Sequence, residues 1–131
     1  MADGTATLDR MIATLRALPE TVRGTMPEIA ETVKADLGKN VAAQQDPNGG
    51  AWPATKSGKP ALTGAAAKIT YSIHGTVIVF RLDGVEARHS LGWVKGGKRR
   101  QIMPETYHEP SARAAAKAVK KALAKAARLA A

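Results

Sequence analysis

The 131-residue sequence has no cysteine. That excludes a disulfide, a thiol nucleophile and a thiolate-held metal. Aromatic residues are scarce: Trp52, Trp93, Tyr71, Tyr107 and Phe80 make the complete set. Any core is therefore aliphatic and modest, and the length suits one domain over 1–131. Long apolar runs are missing too, so no membrane-spanning helix is expected. The opening stretch, MADGTATLDR, carries acid where a secretory leader needs base, and it lacks an apolar segment. A cytoplasmic starting point is expected.

Acid is the other shortage. Eleven Asp and Glu face twenty Lys and Arg, a net charge of +9. The imbalance is graded along the chain: −2 over 1–46, +5 over 47–110 and +6 over 111–131. A chain near neutral at one end and cationic at the other suits an anionic partner such as nucleic acid, a membrane surface or an acidic protein. Solubility alone is the plainer explanation.

The periodicities predict an α+β fold. Leu8, Met11, Ile12, Leu15 and Leu18 recur at helical spacing up to Pro19, which predicts a first amphipathic helix. Thr25-Met26-Pro27-Glu28 reads as a capping box opening a second helix to about Gln44 or Gln45. Its stripe is Ile29, Val33, Leu37 and Val41, with Gly38 costing about 1 kcal/mol against alanine. Residues 46–64 hold three prolines and four glycines, which predicts a long loop. Trp52 sits inside it, either folded back on the core or serving as an anchor for a neighbouring subunit.

Two alternating runs, Ile69–Ile73 and Thr76–Leu82, flank His74-Gly75 and predict a hairpin that anchors a small antiparallel sheet within 65–109. That turn sets Tyr71 opposite Ile78 and Ile69 opposite Phe80. One or two helical turns are expected over Val85–Leu91, ended by Gly92. A flexible basic loop follows at 95–100, then a short strand at Gln101–Met103. A last helix spans 110–131. Arg113, Lys117, Lys120, Lys121, Lys125 and Arg128 fall within about 140° of its circumference, opposite Val119, Leu123, Ala112, Ala116 and Ala126.

No catalytic pattern stands out. The acids share no spacing that argues for a carboxylate pair, and His74, His89 and His108 are scattered. No phosphate-cradling, nucleophile-elbow or zinc-helix motif is present. The expectation is a protein that is not an enzyme and that carries no metal or cofactor. Nucleic-acid binding has more support. The basic loop and the last helix offer phosphate contacts, yet stacking platforms and a base-reading helix are missing. Binding of that kind is sequence-independent and salt-sensitive.

Four segments carry a family resemblance: Gly50-Ala51-Trp52-Pro53, Leu62-Thr63-Gly64 leading to Ile69, His89-Ser90-Leu91-Gly92, and Arg100-Gln101-Ile102-Met103-Pro104. In this order, between N-terminal helices and a C-terminal helix, they resemble the virion morphogenesis proteins of tailed bacteriophages, which complete the tail or join it to the head. The resemblance spans about residues 25–125. It implies a subunit without a catalytic site, made in the bacterial cytoplasm and carried in the virion. Such a subunit forms a homo-oligomeric ring at the head–tail junction or tail end and contacts neighbouring neck and tail proteins, with no membrane involved. Trp52, Pro53, His89 and Trp93 are then the candidate subunit contacts. Lys98, Arg99, Arg100, Arg113, Lys117, Lys120, Lys121, Lys125 and Arg128 are the candidates for non-specific contact with DNA in the lumen or with an acidic partner. The alternative is a sequence-independent nucleic-acid-binding accessory protein using the basic loop and the last helix.

Overall fold

A computed structural model describes residues 4–94, 98–105 and 107–130. The α+β class holds: α1 (Gly4–Ala42), α2 (Ala65–Lys68), β1 (Ile69–His74), β2 (Val77–Leu82), α3 (Gly84–Leu91) and α4 (Glu109–Ala130) follow in order. The two helical stretches expected at the N-terminus run on as one 39-residue helix with Pro19 and Pro27 inside it. Each proline removes one donor and frees the carbonyl four residues earlier, at Leu15 and Arg23. Both of those residues are exposed, so water can take up the freed carbonyls. Thr25 is not a cap. It is buried, and its hydroxyl donates to the Val22 carbonyl at 2.6 Å.

The expected stripe of Ile29, Val33, Leu37 and Val41 is buried, joined by Met26 and Ala30. It forms the spine of a core completed by Trp52, Ala65, Ile69, Ile102 and Ala118. α4 lies antiparallel along it: Pro110 and Arg113 share a groove with Asp36, while Lys125 shares one with Glu20. The packed face of α4 centres on Ala118, with Ala115 and Val119 beside it. Ala116, expected on that face, is exposed. Gly38 has a packing reason: a Cβ there would meet the Ala66 Cβ of α2 at 3.3 Å.

α1 stops in a tight C-terminal turn. Gln45 N donates to Asn40 O and Gln44 N to Val41 O, with Gln44 at φ 58°. This is the Schellman pattern with glutamine where glycine is usual. The Gln44 amide then fastens the loop, donating to Ala61 O at 2.9 Å while its oxygen accepts from Ala61 N at 2.6 Å. Further along, Asp46 Oδ1 accepts from the amides of Asn48 and Gly50.

The sheet consists of the hairpin alone among the described residues, in the register Ile69↔Leu82, Tyr71↔Phe80 and Ile73↔Ile78. This is two residues away from the expected pairing. The turn is Gly75-Thr76, with Gly75 at φ 64°, so only glycine takes a positive φ. A His74-Gly75 turn of the same kind would put histidine in that strained region. The observed register also makes three apolar pairs on one face, with Tyr71 and Phe80 rings 5.9 Å apart. A slip of two keeps each side chain on its face. Gln101–Met103 is not a strand. Its amides are taken by a side chain of α3 instead.

Candidate interaction surfaces

Ser90, on α3, is buried, and its hydroxyl accepts from both Ile102 N (3.0 Å) and Met103 N (3.1 Å). α3 is ended by Gly92 in the left-handed region (φ 80°), and the chain then returns so that the Arg99 side chain lies over that glycine. Arg99 Nε donates to Ser90 O at 2.9 Å, and its guanidinium pairs with Glu105. Arg100 donates to Pro53 O at 3.0 and 3.2 Å. Trp52 is buried, and its indole N–H donates to Gln101 O at 3.0 Å. His108 closes the same region: its Nε2 lies 2.7 Å from Pro47 O and its Nδ1 2.6 Å from Ser111 Oγ.

These contacts redistribute the sequence candidates. Trp52 belongs to the core rather than to an exposed anchor, because its ring fills the space beside α1 and its one donor is satisfied internally. Pro53 is half-buried and acts through its carbonyl. Arg99 and Arg100 donate to carbonyls of the chain, Arg100 half-buried and Arg99 still partly exposed, while Lys98 is exposed with no ion-pair partner among the described residues. The expectations for Lys95, Gly96 and Gly97 lie outside the described residues.

His89 is half-buried, and its Nδ1 has no hydrogen-bond partner among the described residues. The same holds for Oε2 of Glu86 one turn earlier. The other Glu86 oxygen lies 2.9 Å from Lys68 Nζ. The Lys68 ammonium, followed by backbone hydrogen bonding, holds the Glu86 carboxyl below its ordinary range. On the outer face of α1, Glu31 accepts a hydrogen bond from the Tyr71 hydroxyl and raises the phenol's pKa.

Among the described residues, three surfaces lie open to solvent. Trp93 is 73% exposed and Tyr107 80%, with Leu91 and Val85 also open to solvent. The N-terminal arm of α1 exposes Leu8, Met11, Ile12 and Leu15, the stripe expected to be a packing face. α4 exposes all six of its cations. Arg113 pairs with Glu109 one turn earlier, and Lys121 lies 4.0 Å from Glu28.

Compared with known proteins, the chain matches no family model, no characterised relative and no solved structure. The family resemblance therefore rests on its four segments. Three of them meet around Ser90: Pro53 and Trp52 from the first, Ser90 from the third, and Arg100–Met103 from the fourth. The second lies outside these bonds; Gln44 of the α1 turn bonds Ala61, which precedes it.

Among the described residues, no group of three or more His, Asp or Glu is placed to hold a metal ion, and no helix is long and apolar enough to cross a membrane. Sequence reasoning missed Ser90 as the junction and Tyr107 as an exposed aromatic. A lone serine in a short helix carries no signal of the two amides it will accept.

Proposed function

We propose that this chain is a structural subunit of a tailed-phage virion, a neck or tail-completion protein that assembles as a ring at the head–tail junction or tail end. The observation that carries the reading is the convergence around Ser90. Segments separated by up to 49 residues, the separation of Trp52 from Gln101, are the ones that resemble the family, and they are held together by specific hydrogen bonds. That three of the four segments share these bonds supports reading them together. The outward surface agrees with work done by interfaces. It offers an apolar helical arm, exposed aromatics suited to subunit contacts, and a cationic face. A ring repeats each patch around its axis, so weak contacts add.

The test is composition. Particles purified from the strain that carries the gene are digested, and this chain's peptides are quantified against the portal protein. A fixed small ratio, such as half or equal to the portal's, is expected. Absence from finished particles overturns the reading. It would favour the second one, a sequence-independent nucleic-acid-binding accessory protein, for which the cations of α4 are the supporting observation.

A further inference from the structure

We propose that the outward face of α4 binds the sugar–phosphate backbone of nucleic acid without reading its sequence, and that the basic loop at 98–100 does not. The loop arginines are committed elsewhere, Arg99 to Ser90 O and Glu105 and Arg100 to Pro53 O. The helix is different. Viewed down its axis, Lys125 and Lys121 lie within about 60° of buried Ala118 and line a groove with Glu20 and Glu28 of α1, while Arg113 and Lys117 border a second groove with Glu28 and Asp36. Lys117, Lys120, Arg113 and Arg128 lie about 80–160° away from Ala118 and are exposed, Lys120 and Arg128 lining neither groove. Lys117, Lys120 and Arg128 have no ion-pair partner among the described residues. From Arg113 to Arg128 the cations span about 22 Å of helix.

The chemistry of the face selects the partner. Between the cations stand only small or ring-constrained residues, Ala124 and Pro110. Protein interfaces concentrate aromatic residues and Met at their centre, whereas this face is two lysines and two arginines on alanine with neither. A lipid surface would need apolar residues beside the cations, and the apolar side of α4 is occupied by α1. Lysine and arginine on a rigid helix suit phosphate contact, and α4 carries no Asn or Gln to read adenine and no aromatic residue to stack on a base. The assignment holds whether the chain works in a virion ring or alone.

The experiment is fluorescence anisotropy of two unrelated duplexes of about 30 base pairs, titrated with the full chain from about 50 to about 200 mM NaCl. The expected result is binding of both duplexes within about threefold of each other, weakening steeply with salt. The triple variant Lys117→Ala, Lys120→Ala, Arg128→Ala should lose at least about tenfold in affinity and flatten the log–log salt slope by about 2 to 3. Lys98→Ala should bind as the unaltered chain does. Circular dichroism checks that the helix survives, and Lys117→Arg with Lys120→Arg should retain binding. No saturable binding at about 50 mM salt overturns the proposal, as does a triple variant that binds normally. Retention on poly-glutamate without DNA binding also overturns it and assigns the face to an acidic protein. None of these outcomes alters the particle ratio that tests the virion reading.

Discussion

Ser90 shows how much one side chain can hold. Its hydroxyl accepts two backbone amides of a segment that has no strand partner, and Ile102, one of the two donors, is a fully buried core residue. Ser90→Ala removes the acceptor and leaves the buried Ile102 amide and the half-buried Met103 amide without that partner, at about 1–3 kcal/mol for a fully buried donor before relaxation. Thermal or urea unfolding should register a loss of at least about 2 kcal/mol. A change under about 0.5 kcal/mol would mean that water replaces the hydroxyl.

Trp52→Ala should cost more, about 3–5 kcal/mol, because it removes a large buried ring along with its bond to Gln101 O. Glu86 is a milder case with a defined direction. Its folded pKa lies below its unfolded value, so its pairing with Lys68 stabilises the fold above the ordinary glutamate range. That contribution is lost as pH falls through the lower, folded value. Glu86→Gln should therefore narrow the stability difference between neutral and acid pH in denaturation curves. An unchanged difference would show that Lys68 is too well solvated to matter.

At the scale of elements, α1 divides functionally where α4 ends. From Val22 to Val41 its stripe is core; from Leu8 to Leu15 the same kind of stripe faces solvent. Replacing Leu37 by Ala should cost about 2–5 kcal/mol, while Leu8→Gln with Leu15→Gln should shift stability by under about 0.5 kcal/mol each. A large loss in the second variant would place a partner on the arm already in the purified protein.

The division also marks how much of the fold was legible. Periodicity marked the helical stretches of α1, α3 and α4, though not that α1 runs unbroken through Pro19 nor that α2 exists, and it fixed which side of the hairpin is apolar, because local spacing carries both. It could not decide whether a stripe finds something to cover it, which is a property of the assembled chain. The hairpin register turned on a single turn residue, Gly75, whose positive φ moved the pairing by two. The internal contacts of the basic loop were not legible for another reason. Arg99 and Arg100 read as free charge in sequence, and only long-range folding brings the Ser90 and Pro53 carbonyls to them. Trp52 was open between core and interface for the same cause.

At the scale of the whole molecule, the net charge of +9 sets a condition on assembly. Copies brought together in a ring repel one another unless salt or an anionic partner screens them, and the Debye length falls from about 30 Å at 0.01 M to about 8 Å at 0.15 M salt. The surfaces available for self-contact are apolar: the α1 arm, and Trp93 with Tyr107. Apolar contact is not weakened by salt, so screening acts only on the repulsion. Contact of α4 with nucleic acid depends on releasing counterions and is weakened by salt. The two kinds of association should therefore respond oppositely. In light scattering coupled to size exclusion, the oligomeric fraction of the chain alone should rise as NaCl increases from about 0.01 to about 0.5 M, the range over which the screening length collapses. DNA affinity should fall over that range. An oligomer that dissociates with salt would instead be held by ion pairs. In that case the acidic N-terminal third of one copy, with its balance of −2 over 1–46, would be facing the cationic remainder of the next.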